Sequence, residues 1–363
     1  MKKIALVHEY LTRLGGAERV LKQLWDIYPE ADIYTLLYND RVSKVFPKKK
    51  VHTSFLQKLP KFLRNRPKFL GFLYPTVIES FDLSQYDLII SSTNSFAKGV
   101  VINSNTKHIS YCHAPTTFIW DEFFTYKKDQ KKGWFINFWI SLLAHYLRQW
   151  DRQAVDRVDI LIANSRTTQA RIKKYYRKDS ILIYPPVDVN RIKPTKDNKG
   201  FFLIVSQLTP YKKIDVAIEA FNKLGLPLVI IGDGPDKKRL EKLSESNIKF
   251  KGFLNDDEIV KYYQNCRAFI FAGKDDFGIA PVEAMAAGKP VLAYRQGGAT
   301  ETVIEGVTGE FFDSPIVELL ADGVRRIIEN EDKYNPDIIR KRAEEFGTDV
   351  FIKKIKNLVE EKI

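Results

Sequence analysis

The chain has 363 residues, 44% hydrophobic and 28% charged, with a formal net charge of +13. That length allows two domains with a core each, and the balance is that of a globular protein, not a disordered or membrane-spanning one. Two cysteines, Cys112 and Cys266, and five histidines that never cluster with them exclude a disulfide framework and a structural zinc, which suits a cytoplasmic protein with no bound metal.

The chain opens Met-Lys-Lys and runs directly into Ile4–His8, a strand too short to be a signal peptide or a membrane span. A helix follows from Ala17 to Asp26, with Gly15-Gly16 at its start. Tandem glycines let the backbone turn sharply and approach a ligand, although the loop is neither a Walker loop nor GxGxxG. Ala31–Leu37 is a second strand. From Lys44 to Leu73, and again from Lys127 to Trp139, lysines mix with large apolar residues. Both stretches suit peripheral contact with an anionic membrane, the alternative being solvated basic helices with an ordinary buried face.

Tyr86–Ser92, Lys107–His113 and Asp159–Ser165 read as three further strands ending in small or polar residues. His113 closes one of them, as a residue either aimed at a ligand or held structurally. Ile181–Asp188 closes the first half, and polar, aperiodic Asn190–Gly200 reads as a linker. The second half alternates strands and helices: Phe201–Ser206, Ile214–Leu224, Leu226–Pro235, a helix from Asp236, Ile248–Phe253 and Asp256–Gln264. Alternation of this kind means a parallel sheet covered on both faces.

Next comes strand Ala268–Phe271, then the loop Gly273 to Gly278, then a helix with Pro281 at its first position and Gly288 at its end. Asp275 and Glu283 therefore bracket the carboxyl end of a strand and the first turn of a helix, where open parallel sheets bind ligands. Amides at that helix start suit a phosphate and the two carboxylates suit hydroxyls; a turn residue and a helix-dipole partner are the alternative. Strand Pro290–Tyr294, the loop Gly297-Gly298, a short strand or turn within Gly306–Phe312, and helices Ile316–Asn330, Pro336–Phe346 and Asp349–Glu361 complete the chain. The expected domains are 1–185, 186–346 and a C-terminal helix at 347–363 packing back toward the first.

Taken together, Gly15-Gly16, His113-Ala-Pro115, Ala163-Asn-Ser165, Tyr184–Asp188, Gln207–Lys212, Gly232–Pro235, Asp275–Glu283 and Gly297–Gly309 resemble glycosyltransferase family 4 along essentially the whole chain. The nearest resemblance is to O-antigen and capsule mannosyltransferases that use GDP-mannose. It implies an α/β chain of GT-B fold, two Rossmann-like parallel-sheet domains facing each other across a cleft. It also implies a retaining hexosyl transfer from a nucleotide sugar to a lipid-linked or polysaccharide acceptor, without a metal.

By the same resemblance Glu283 accepts the ribose hydroxyls, and Asp275, with Asp276 as its substitute, holds a donor-sugar hydroxyl, helped by the amides around Phe277, Gly278 and Ile279. Lys212 neutralises the diphosphate, Gly15 and Gly16 approach it, and His113 touches the sugar. Two positions depart from the family pattern: Asp275 stands where Glu is usual, and Gln207 stands where Arg is usual. The second removes a bidentate phosphate clamp, which leaves a non-catalytic or weakly active nucleotide-sugar-binding protein as one alternative; a UDP-sugar transferase of the same family is another. Nucleic acid is not expected as a partner, since no recognition helix, zinc finger or RNP-like sequence accompanies the charge. A dinucleotide dehydrogenase would need GxGxxG after a first strand.

Overall fold

The computed structural model describes residues 2–64, 70–124, 127 and 133–362. Residues 65–69 of the first basic-apolar stretch and 128–132 of the second therefore lie outside the described residues. The chain divides into two compact units, residues 1–184 with 352–363, and residues 185–351.

The first unit holds β1 (Ile4–Leu11), β2 (Asp32–Tyr38), β3 (Val51–Thr53), β4 (Leu88–Thr93), β5 (Lys107–Cys112), β6 (Ile160–Ala163) and β7 (Ile181–Leu182). These pair in parallel in the order β3-β2-β1-β4-β5-β6-β7. The second unit holds β8 (Phe202–Val205), β9 (Leu228–Ile231), β10 (Ile248–Gly252), β11 (Ala268–Phe271), β12 (Val291–Tyr294) and β13 (Gly309–Phe312). Its parallel order is β10-β9-β8-β11-β12-β13.

Each sheet starts in its middle, grows one way, and then returns to grow the other. The order therefore reverses between β1 and β4, and between β8 and β11. Such a switch point leaves a crevice at the carboxyl ends of the two strands. Strands covered on both faces tend to be apolar, as β11 is; β4 is equally buried, apolar from Leu88 to Ile90 and with the hydroxyl residues Ser91, Ser92 and Thr93 at its carboxyl end. In the first unit, Ile355, Leu358 and Val359 of the last helix (Thr348–Lys362) line one apolar space with Leu24, Ile90, Ile109, Tyr111 and Ile162.

Three local expectations change. The segment expected as a linker, Asn190 to Gly200, is strapped to the second unit: the amides of Thr195 and Lys199 donate to the carbonyls of Ala287 and Asn265 over 3.2 and 2.9 Å. Lys193 accepts from Gln264 over 3.0 Å. Its polar composition reflects backbone pairing along a surface, not freedom. Pro281 occupies the third helical position of Ile279–Ala286, not the first; the amide it lacks is still one of those a first turn leaves unpaired.

A 23-residue helix, Trp134–Asp156, runs where only a basic-aromatic stretch was expected. Its first turns expose Trp134, Phe135, Ile136, Phe138 and Trp139, whereas Ala144, Leu147, Trp150, Ala154 and Val155 are buried. Aromatic residues on every side of those turns obscure the 3.6-residue period.

Candidate active site

In the second unit, four loops meet at the carboxyl ends of β8, β9, β11 and β12, with backbone packed against backbone. A Cβ on Gly273 would lie 2.7 Å from Cα of Lys212, and one on Gly298 would lie 2.2 Å from Cα of Phe277. The amide of Gly298 donates to the carbonyl of Asp275 over 3.0 Å. These close approaches fix where the loop from Gly273 to Gly278 stands relative to the turn Pro210–Lys212.

Lys212 and Asp275 meet there directly. Their ammonium and carboxylate form an ion pair in which Lys212 is 13% and Asp275 27% exposed, and Nζ of Lys212 lies 5.1 Å from the centre of the Tyr211 ring. Gly278 takes a positive φ of 85° as the cap of helix Ile279–Ala286, which leaves the amides of that helix start at the switch point. Phe277 buries its ring against Phe346, so only its backbone is available to a ligand. Asp276 is half-buried beside it, and Gln207 is exposed.

Glu283 lies one turn into the same helix, buried among apolar neighbours. Tyr263 donates to its Oε2 over 2.9 Å, and Nη2 of Arg191 approaches Oε1 at 3.4 Å. Arg191 also faces Asp256 at 3.7 Å. The sequence reading passed over Tyr263 and Arg191. Neither belongs to a recognisable motif, and only the packing of Val189–Arg191 and Asp256–Asn265 against Glu283 reveals them.

In the first unit, the carboxyl ends of β1, β4 and β5 gather His8, Glu9, Ser92 and His113. Oε1 of Glu9 accepts the Thr93 hydroxyl at 2.8 Å and four successive amides, Asn94, Ser95, Phe96 and Ala97, at 2.8 to 3.0 Å. Burial pushes the Glu9 carboxyl up, yet His8 and those donors hold it below the usual range. A run of backbone amides of this kind is an anion cradle, and the protein fills it with its own carboxylate.

Gly15 caps helix Gly16–Ile27 in an extended conformation, and neither glycine takes a positive φ. The sharp turn expected of the pair is therefore not what they supply. At Gly15 the backbone amide donates to Oε2 of Glu18 over 2.8 Å, and a Cβ would lie 2.9 Å from that oxygen.

His113 is buried, its amide donating to Thr93 and its carbonyl accepting from Thr168 over 3.2 Å. Ser165 of the Asn164-Ser165 motif caps the helix that carries Thr168. Burial lowers the His113 imidazole pKa to about 4, with the charge of His8 adding to the effect and Glu9 and Glu18 opposing it. The imidazole is accordingly neutral near pH 7. Among the described residues no group of three or more His, Cys, Asp or Glu side chains is placed to hold a metal ion.

Comparison with known proteins agrees with both halves. Residues 14–191 match the model of Glycosyltransferase Family 4, and residues 188–346 match that of Glycosyl transferases group 1. An alpha-1,3/1,6-mannosyltransferase from Dictyostelium discoideum is 26% identical over 300 residues, covering 68% of each chain. A GDP-mannose-dependent phosphatidylinositol monomannoside mannosyltransferase from Mycobacterium tuberculosis is 28% identical over 214 residues, 50% of this chain and 56% of the relative. The chain thus spans little more than half the length of some of the curated relatives it matches. A solved structure, Anabaena HepE in complex with UDP-glucose, superposes with a TM-score of 0.72 at 20% identity, covering 99% of this chain and all of that one. With glycosyltransferase models matched in sequence from residue 14 to residue 346 and the doubly wound sheet order found in each unit, the chain belongs to the family 4 glycosyltransferases of GT-B fold.

Proposed function

We propose that the protein is a retaining glycosyltransferase that moves mannose from GDP-mannose to a lipid-linked or polysaccharide acceptor. The observation that carries the reading is the meeting of Lys212, Asp275 and the helix start at Gly278 at one switch point, with Glu283 a turn further on. A nucleoside diphosphate sugar has a group for each of them. Glu283, held by Tyr263, accepts the ribose hydroxyls, and the helix-start amides and Lys212 take the diphosphate. Asp275 turns from Lys212 to a sugar hydroxyl.

As the glycosidic bond breaks, charge grows on the departing phosphate. A fixed ammonium and oriented amides stabilise it without proton transfer, and they take the place a metal ion would otherwise fill. The leaving phosphate serves as base for the acceptor hydroxyl, which attacks on the same face. His113 is assigned to the sugar. The names of the mannosyltransferase relatives support mannose, and the UDP-glucose complex of HepE supports a UDP sugar as the second reading. Gln207, exposed where family members carry Arg, keeps a weakly active binding protein as a third.

The acceptor is proposed to be met at a membrane surface in the cytoplasm. Among the described residues no helix is long and apolar enough to cross a membrane. Trp134, Phe135, Phe138 and Trp139 are nonetheless exposed by 52 to 82%, and Phe55, Phe62 and Phe72 by 51 to 67%. Apolar surface of this extent beside lysines suits anionic headgroups.

Thermal-shift and calorimetric titration with GDP-mannose, UDP-glucose and ADP-glucose tests the donor. Release of GDP and free mannose, or mannose transfer to a lipid acceptor, supports the first reading. Binding without turnover selects the third, and no binding of any nucleotide sugar ends all three. Flotation with vesicles containing anionic lipid, against neutral ones, tests the membrane contact.

A further inference from the structure

Glu18, His8, Ser92 and His113 form one polar chain, and all four lie in the first unit. Nδ1 of His8 is 2.9 Å from the carbonyl oxygen of Ser92 and 3.2 Å from its hydroxyl. A carbonyl can only accept, so Nδ1 of His8 carries a proton, and the Ser92 hydroxyl oxygen is its second acceptor. The same hydroxyl is 2.8 Å from Nε2 of His113. Since its oxygen already accepts from His8, Ser92 has its own proton left to donate, and Nε2 of His113 is the atom in line. A neutral imidazole has one proton, and with Nε2 accepting, that proton sits on Nδ1.

Behind this chain, Nε2 of His8 faces Oε1 of Glu18 at 3.7 Å, and Oε2 of Glu18 is tied to the Gly15 amide. Burial alone would push the His8 imidazole down, but Glu18 and Glu9 hold it above its usual range. The two buried rings are thus shifted in opposite directions, His8 upward and His113 down to about 4. No hydrogen-bond partner for Nδ1 of His113 exists among the described residues.

We infer that His8 is a positioning residue: through Ser92 it fixes His113 as the Nδ1–H tautomer, so that His113 presents a hydrogen-bond donor to an oxygen of the donor sugar. The inference rests on the reading above in which His113 meets the sugar. The opposite tautomer would present a lone pair there, able to accept from a sugar hydroxyl but not to donate to its oxygen. The chain also gives a reason for serine at position 92 and histidine at position 8, neither of which belongs to a motif. At the neighbouring register β4 and β5 carry a second pair, Ser91 with His108 at 2.9 Å, which ends in the sheet interior without reaching His8.

The test is nitrogen NMR on the full-length protein labelled at its histidines, with the His113 signals assigned by loss in His113→Gln. The expected spectrum at pH 7.5 shows His113 protonated on Nδ1, with Nε2–H gaining population in Ser92→Ala and in His8→Ala. Transfer in both variants should fall about 10-fold, as when an orienting partner behind a ligand-contacting histidine is removed. His8→Asn, whose amide nitrogen can occupy the place of Nδ1, should recover most of the loss. A wild-type His113 protonated on Nε2, or a tautomer unchanged in both variants, overturns the inference. If His113→Ala transfers sugar at the full rate while the tautomer shift is seen, the relay stands and the sugar contact of His113 fails instead.

Discussion

Tyr263 and Glu283, twenty positions apart, are buried together with the phenol donating to Oε2 of the carboxylate over 2.9 Å. The bond fixes Oε2, and Arg191 approaches Oε1 at 3.4 Å. Removing the donor leaves a buried acceptor short of a partner, at a cost of about 1–3 kcal/mol. In Tyr263→Phe the dissociation constant for GDP should rise several-fold with little change in kcat. Glu283→Ala should raise it about 10-fold or more, the equivalent of 1.4 kcal/mol. Calorimetric titration of the three proteins separates these outcomes, and unchanged affinity in Glu283→Ala would remove Glu283 from the nucleotide site.

Gly273 sets the height of Lys212. A Cβ there would press on Cα, C and O of Lys212 at 2.7 to 2.9 Å, all backbone atoms that cannot swing aside. Gly273→Ala should therefore shift the ammonium while leaving the sheet intact. A misplacement of about 1 Å at a catalytic group costs on the order of 100-fold in rate. Lys212→Ala should lose about as much, in kcat more than in donor KM. Steady-state kinetics on both variants, with the thermal midpoint as a fold control, decides the matter.

Lys98 and Asp151 form an ion pair at 2.6 Å in which each side chain is 1% exposed. Asp151 also accepts from Thr116, Trp120 and Tyr176, each at 2.7 or 2.8 Å. Asp151→Ala strands a buried ammonium and three donors, and should destabilise the protein by about 3–5 kcal/mol. The double variant Lys98→Met, Asp151→Leu should regain much of that loss, since no charge is left uncompensated. Denaturant midpoints of the wild type and both variants check this, and an unshifted Asp151→Ala would show that the pair contributes little.

His108, on β5, is fully buried, and burial lowers its pKa to about 4, with Arg157 assisting and Asp159 opposing. The folded value lies below the unfolded value of about 6.5. Stability from this group is therefore complete above pH 6.5 and declines as pH falls from 6.5 toward 4, by about 2 kcal/mol at pH 5. His8, whose folded value is raised, contributes with the opposite sign and is kept constant by the comparison. His108→Gln should lose less thermal stability than the wild type between pH 7 and pH 5. Equal losses would show that His108 is not the titrating group.

Much of the fold was legible in the chain itself. Helix Ile214–Leu224 and strand Ala268–Phe271 fall where periodicity and apolar runs put them, and Asp275, Gly278 and Glu283 stand at the expected strand end and helix start. Apolar spacing, glycine and proline act over a few residues, so they declare themselves in a short window. The partners of those residues do not. Glu9 finds its amides 85 to 88 positions away, His8 meets Ser92 across 84, and Arg191 reaches Glu283 across 92. Local spacing determines which residues turn inward, whereas sheet order determines which buried groups become neighbours. Charge state, tautomer and hydrogen-bond direction depend on those neighbours and on lost water, so only the tertiary structure decides them.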